Sequence, residues 1–231
     1  MHLSKRCYNL RIDLKKETYM DIIPFRCEYA DTPLRKEDLH TSPFQQFEQW
    51  FQDAIHAKIL EPNAMSLATV DALLRPSIRT VLLKLYDENG FVFFSNYRSQ
   101  KARDIEQNPH VALHFAWLHL QRQVRIEGTI KKISTKESLR YFLSRPRGSQ
   151  LGAWASNQSE IVTSRSLLEN KFFELKEKFS KKEVPLPDFW GGYRVIPRRF
   201  EFWQGGKDRL HDRFAYEQDT PSLWQIHRLA P

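Results

Sequence analysis

Four segments carry side chains suited to chemistry, and each would meet an anion. In the run Phe202-Trp203-Gln204-Gly205-Gly206-Lys207-Asp208-Arg209-Leu210-His211-Asp212-Arg213, Arg209, His211 and Arg213 alternate, so on a strand they would share one face. Such neighbours repel unless a bound anion, or Asp208 and Asp212, compensates. Tyr141 and Arg145 stand one helical turn apart, and Ser149 follows the Arg145-Pro146-Arg147 turn. A phenol, a guanidinium and a hydroxyl converging there would suit a phosphate monoester. Ser99-Gln100-Lys101 enters a helix, where free amides and a lysine make a phosphate cradle. Arg79-Thr80-Val81-Leu82-Leu83-Lys84 puts cations into an apolar strand, and their odd spacing sends Arg79 and Lys84 to opposite faces. Taken singly, each segment also fits a solvated surface.

The sequence holds no nucleophile elbow, Walker loop, metal-binding helix or dinucleotide glycine fingerprint, so no metal is expected. Paired carboxylates at catalytic spacing are lacking too, and hydrolytic acid/base chemistry has no carrier. Gly191-Gly192 and Gly205-Gly206 read as turns or bulges. The pattern suits a site that holds anions and a redox-active ring.

The elements that must position these residues are mostly strands. Residues 1–40 mix charge with little periodicity and read as a loose, partly disordered N-terminal arm, with Met20 as an alternative start to Met1. The remainder, 41–231, reads as one domain. Ser42-Pro43 offers an N-cap and a first-turn proline, with Gln45 at the capping-box position, before Phe44, Phe47, Phe51, Ala54 and Ile55 recur at helical spacing. β-type runs follow at Met65 to Val70, Ser77 to Leu85, Phe91 to Asn96, Val111 to Leu118 and Val124 to Ile133, with a hairpin turn at Glu88-Asn89-Gly90. Ser134 and Glu137 form a capping box for a helix through Arg145, and Ser164 to Lys182 reads as an amphipathic helix. Tyr193 to Ile196, Arg199 to Trp203 and Trp224 to Leu229 return as strands. The fold class is mainly β with flanking helices (α+β), an antiparallel barrel or sandwich.

Composition narrows the functional classes. Of 231 residues, 41% are hydrophobic and 13% aromatic, enough to fill a core and to exclude a disordered chain. No apolar run approaches membrane-span length, and the charged first residues do not form a secretory signal, so a cytoplasmic location is expected. Cys7 and Cys27 are too few for a disulfide framework. The net charge is +8, but basic and acidic residues intersperse, which is not the pattern of a nucleic-acid tail.

Arg79-Thr80-Val81-Leu82-Leu83-Lys84, Phe94-Ser95-Asn96, Arg122-Gln123-Val124, Tyr141-Phe142-Leu143-Ser144-Arg145-Pro146-Arg147, Gln158-Ser159, Phe189-Trp190-Gly191-Gly192, Glu201-Phe202-Trp203-Gln204-Gly205 and the terminal Arg228-Leu229-Ala230-Pro231 complete a recognisable set. In order, over residues 21–231, it closely resembles the pyridoxine/pyridoxamine 5′-phosphate oxidase family. The resemblance implies an FMN-binding split β-barrel and a homodimer with active sites at the subunit interface. It also implies oxidation of pyridoxine or pyridoxamine 5′-phosphate to pyridoxal 5′-phosphate, with O2 reduced to H2O2.

Carried over by position, the resemblance implies FMN contacts from Arg79, Thr80, Val81, Leu82, Phe94, Ser95, Gln100, Lys101, Gln123, Gln158, Ser159, Trp203 and Arg213. Arg79 and Lys101 would neutralise the FMN phosphate. Substrate phosphate would fall to Lys84, Tyr141, Arg145 and Ser149, while Arg209 and His211 would be catalytic and line the pyridine ring. Arg26 and Tyr29 match an arm that closes over it. One departure stands out: the family usually has Arg-Lys where this chain has Gln100-Lys101, which implies a looser hold on the FMN phosphate. The alternatives are a split-barrel flavoprotein with another substrate or a deazaflavin, and a non-enzymatic binder of flavin, pyridoxal phosphate or RNA. The Tyr141/Arg145/Ser149 and Arg209/His211 sets speak against the first.

Overall fold

Strand periodicity governs the central part of the chain. The computed structural model describes residues 28–29, 32–220 and 223–231. β1 (Ala64–Val70) buries Met65, Leu67 and Thr69, and β5 (His110–Trp117) buries Val111, Leu113, Phe115 and Trp117. β6 (Arg122–Lys132) continues the alternation with Val124, Ile126 and Ile130 inside. The other strands are β2 (Pro76–Leu82), β3 (Leu85–Asp87), β4 (Gly90–Asn96), β7 (Trp190–Gln204), β8 (Asp212–Thr220) and β9 (Leu223–Leu229). All pair antiparallel in the order β2-β1-β5-β6-β7-β4-β3, with β8 added to β7 and β9 to β8.

The sheet curls until its β2 end meets β4, where the Lys84 amide donates to the Val92 carbonyl at 2.9 Å. Above that bond the two strands part, and this is the expected split β-barrel. The strand read as Ser77 to Leu85 is therefore two elements: β2 stops at Leu82, Leu83 is buried, and β3 starts at Leu85. The break at 83–84 interrupts the alternation on which the expected opposite faces of Arg79 and Lys84 rested. Both line one cavity.

β7 is a single strand where two had been expected. Its first half pairs with β4 and its second with β8, while β6 runs beside both. Pro197 falls at a register shift opposite Glu127/Gly128, a bulge that admits a residue without an amide proton. A Cβ at Gly128 would sit 2.0 Å from the Ile196 carbonyl oxygen, so the crossing needs glycine there. At the expected β3–β4 turn, Gly90 has φ +126°, which again favours glycine. β8 was not foreseen as a strand beyond Arg213; its Glu217-Gln218-Asp219 is polar and gives no apolar alternation.

α1 (Pro43–His56) plugs the barrel with Phe47, Trp50 and Ala54. Phe47 lies 4.9 Å from Phe91 and 5.0 Å from Phe115 between ring centroids. Pro43 opens the helix, but Ser42 forms no side-chain cap, contrary to the expected box; the Gln46 side chain accepts from the His40 amide instead. α3 (Thr135–Ser144) has its capping box, with the Glu137 amide donating to Ser134 Oγ at 3.2 Å. With α4 (Arg147–Ala155) and α5 (Arg165–Lys178) it builds a second core around Phe142, Leu151, Phe179 and Trp190. α4 was not expected, because Pro146 reads as a stop; here it ends α3 and stands as the N-cap of the next helix.

Most of the N-terminal arm lies outside the described residues, including Cys7, Met20, Arg26 and Cys27. Its last part is pinned rather than loose. The Leu34 amide donates to Asp212 Oδ2 at 2.9 Å, and Tyr216 Oη to the His40 carbonyl at 2.7 Å. Among the described residues no helix is long and apolar enough to cross a membrane.

Candidate active site

The split between β2 and β4 opens into a cavity of about 460 Å³. β2 supplies Arg79, Thr80, Val81 and Leu82, with Lys84 just beyond it, and β4 supplies Phe94 and Ser95. α2 (Gln100–Gln107) points its first turn inward with Gln100 and Lys101, and α3 contributes Tyr141, with Arg145 following. Gln158, Ser159 and Trp190 close the wall. Apart from Ser149, the residues read as phosphate or FMN ligands from these segments are thus brought together, and among the described residues no carboxylate lines the space.

Its cations are unevenly balanced. Arg79 Nη1 donates to Thr69 Oγ1 at 2.6 Å, and Nη2 lies 3.6 Å from Asp104, a carboxylate 2% exposed. Burial pushes the Asp104 carboxyl up. Bonds from Thr69, Gln100 and Ser77, with the Arg79 charge, outweigh that and leave it below the usual range. Lys101 is buried and donates only to the hydroxyls of Ser95 and Ser99, each at 3.2 Å. Burial, and then the nearby Arg79 charge, bring its ammonium down to about 8. Among the described residues no carboxylate forms an ion pair with Lys84, Lys101 or Arg145.

Arg145 is the sharpest case. Its guanidinium lies 4.6 Å over the Trp190 ring, and its Nη1 is buried with no hydrogen-bond partner among the described residues. Desolvation lowers its pKa from the ordinary arginine value. A buried, unpaired cationic donor costs several kcal/mol unless an anion meets it. The near-parallel rings of Phe94, Tyr141 and Trp190 pack as a triangle, with centroids 3.9 Å (Phe94–Tyr141), 5.4 Å (Phe94–Trp190) and 6.2 Å (Tyr141–Trp190) apart. Trp190 escaped the reading of single segments; a tryptophan at the start of a strand looks like core. Ser149 stands exposed in the first turn of α4 and does not line the cavity.

Gln100 is held by its neighbours. Its Nε2 donates to Asp104 at 2.7 Å and its Oε1 accepts from Arg103 at 2.8 Å, so one of its two side-chain donors is engaged. The Gln100 amide donates to Ser159 Oγ at 3.2 Å, and Ser159 adopts φ 74° to reach it. Ser95 Oγ donates to Gln158 Oε1 at 3.3 Å.

The remaining predicted residues gather elsewhere. Gln123, Trp203 and Arg213 are register partners across β6, β7 and β8 and so share one face. The intervening residues Val124, Phe202 and Phe214 are fully buried, so the row lies outside the barrel. Gln123 is oriented by His114, whose Nε2 is 3.1 Å from Gln123 Oε1. Arg209 and His211 do not continue the strand. They follow a tight turn at Lys207–Arg209, where Asp208 and Arg209 have φ 55° and 65°, and β8 begins only at Asp212. The expected shared face of Arg209, His211 and Arg213 is therefore replaced by a loop cluster.

In that cluster the His211 ring lies 4.5 Å from Trp203 and 5.0 Å from Tyr29, and the Arg209 guanidinium 5.4 Å over Tyr29. The Gly206 amide donates to His211 Nδ1 at 3.1 Å, which places the proton of the neutral ring on Nε2. Burial, and then Arg209, lower the His211 pKa. Along β7, Trp203 is eleven residues from Gly192, the partner of Phe94, which is roughly 35 Å of extended strand. The cavity and the row are separate regions of the chain.

Fold and site together define a split-barrel protein with a cationic cavity and a separate aromatic, basic face. Residues 51–179 match the family model described as pyridoxamine 5′-phosphate oxidase, and residues 190–231 match the pyridoxine 5′-phosphate oxidase C-terminal dimerisation region. A pyridoxine/pyridoxamine 5′-phosphate oxidase of Crocosphaera subtropica is 63% identical, covering 92% of this chain and all of the relative. One from Aliarcobacter butzleri is 60% identical over the same shares. Among solved structures, PhzG from Burkholderia lata in complex with tetrahydrophenazine-1-carboxylic acid superposes with a TM-score of 0.81 at 27% identity, covering 87% of this chain and 99% of that one. The chain belongs to the pyridoxine/pyridoxamine 5′-phosphate oxidase family.

Proposed function

We propose that the chain is an FMN-dependent oxidase converting pyridoxine 5′-phosphate and pyridoxamine 5′-phosphate to pyridoxal 5′-phosphate, with O2 reduced to H2O2. The carrying observation is the cavity in which, among the described residues, Lys84, Lys101 and Arg145 have no carboxylate partner and Arg145 Nη1 no hydrogen-bond partner. Such a space fits two phosphates, one of the cofactor and one of the substrate. FMN, when bound, supplies hydride acceptance from the substrate C4′ carbon and electron delivery to oxygen.

The chain's own residues bind, orient and shield. Arg79 and Lys101, with the amides opening α2, take the FMN phosphate; Thr80, Val81, Leu82, Phe94, Ser95, Gln100, Gln158 and Ser159 frame the rest of FMN. Lys84, Tyr141 and Arg145 take the ester phosphate, joined by Ser149 if the first turn of α4 shifts inward. Arg209 and His211 act on the pyridine ring, with His211 offering its Nε2 proton as a donor and Tyr29 and Arg26 closing over it. Gln123, Trp203 and Arg213 reach the flavin of the other subunit. A two-fold dimer applies each interface patch twice and so completes two equivalent sites. The dimerisation region carries Trp203, Arg209, His211 and Arg213, which supports this reading. We place the enzyme in the cytoplasm.

The test is the visible spectrum of the FMN-loaded protein under anaerobic addition of pyridoxine 5′-phosphate. Bleaching that air reverses is expected; a flavin that stays oxidised with either ester contradicts the assignment of substrate.

A further inference from the structure

Beneath the row of Gln123, Trp203 and Arg213 lies a second row on the same face, Arg125 beside Glu201, and then a third, Glu127, Arg199 and Glu217. Glu201 is 6% exposed and sits among three guanidinium groups. Arg125 Nη2 donates to its Oε2 at 2.6 Å, and Arg199 Nη2 is 3.5 Å from the same oxygen. Arg213 grips the other oxygen, Oε1, with Nε and Nη2, each at 2.9 Å.

The three arginines differ in what else they hold. Arg125 also pairs with Glu127 at 3.0 Å, and Arg199 with Glu127 at 3.2 Å and Glu217 at 3.1 Å. Arg213 has no second carboxylate among the described residues; its other bond runs from Nη1 to the Ala230 carbonyl at 2.7 Å. One buried carboxylate therefore sets the plane of this guanidinium. A planar fork held through Nε and Nη2 has its opposite edge aimed as well, with one N–H on each of Nη1 and Nη2 left for a ligand.

We propose that Glu201 is a positioning residue that aims Arg213 at the flavin. The inference rests on the proposed reading of Arg213 as an FMN contact, and it assigns Glu201 no contact of its own with substrate or cofactor. Arg125 and Arg199, locked to Glu127 and Glu217, hold Glu201 in turn, so the ladder carries order from the barrel wall to the cofactor.

The test is a double-mutant cycle on the full-length protein, read as the FMN dissociation constant by quenching of FMN fluorescence. Glu201→Gln keeps the shape but turns a donor toward the arginines, and it should weaken FMN about tenfold while moving the visible flavin band to that of Arg213→Ala. In the Arg213→Ala background the same change should have no further effect. Equal losses in both backgrounds, or none in either, would overturn the proposal. If Glu201→Gln does not fold, Glu201→Asp keeps the charge but withdraws Oε1 by one methylene. It should weaken FMN only when Arg213 is present, and unchanged affinity would again overturn the proposal. Wild-type protein that takes up no FMN would refute the reading of the site itself, and this inference with it.

Discussion

The cavity and the outer face are both rich in cations, but they balance them in opposite ways. Around the cavity, Lys101 meets only hydroxyls and Arg145 only aromatic rings, with one nitrogen buried and unpaired. On the outer face Arg213 is chelated by Glu201, and Arg199 is paired with Glu127 and Glu217. Uncompensated charge in a concave, partly dry space is a device for drawing in anions. Compensated charge on a sheet is a device for holding side chains still. The first half-site should therefore govern binding, and the second the fine placement of the rings.

The largest effect expected from this contrast is at Arg145. Arg145→Ala removes the orphaned guanidinium and should raise KM for the phosphate esters about 100-fold with a much smaller change in kcat, as a charge-assisted hydrogen bond of roughly 2–3 kcal/mol would. Arg209→Ala, on the other half-site, should instead lower kcat with a modest change in KM. Steady-state kinetics on both variants decide it. If Arg145→Ala lost turnover while keeping KM, the division between the halves would be wrong.

A pH profile probes the same imbalance at intermediate size. Burial and the Arg79 charge bring Lys101 down to about 8, and a bound phosphate dianion would favour its charged form again. The free protein thus loses this proton at lower pH than the complex. FMN affinity should be level below about pH 8 and fall above it by up to about tenfold per unit. Dissociation constants across that window test the prediction, and Lys101→Arg should flatten the decline. A flat profile in the wild type would mean that Lys101 does not meet the phosphate.

The smallest change concerns Gln100. Its Nε2 is bonded to Asp104, and it adds no charge to the cavity. Gln100→Arg should tighten FMN only about threefold to tenfold, since the position lies at the exposed mouth. No change in the dissociation constant would show that the phosphate lies elsewhere.

Much of this was legible in the residues. Apolar alternation located the strands through Lys132, and the Ser134/Glu137 box located α3, because those signals are local. Tyr141 and Arg145 were found from helical spacing alone. What local signals do not contain is the strand break at Leu83, which carries Lys84 round to join Arg79, and the bulge at Gly128, which lets β7 run through Pro197. The Lys207–Arg209 turn was lost for the same reason: alternating Arg209, His211 and Arg213 looks like a strand until two residues take left-handed backbone angles. Asp104 and Trp190 were missed because each touches the site only through tertiary packing.

The central claim is that one active site takes its cavity from one subunit and its Trp203–Arg209–His211 cluster from the other. Coexpression of Arg145→Ala and Arg209→Ala chains, assayed at a substrate concentration far below the raised KM so that each alone is nearly inactive, measures it directly. In a mixed dimer both lesions fall in one site and leave the other intact. Random pairing makes half of the dimers mixed, with one of two sites working, so activity should recover to about a quarter of the wild-type value. Activity that stays at the level of the separate variants would contradict the account and place both half-sites within a single chain.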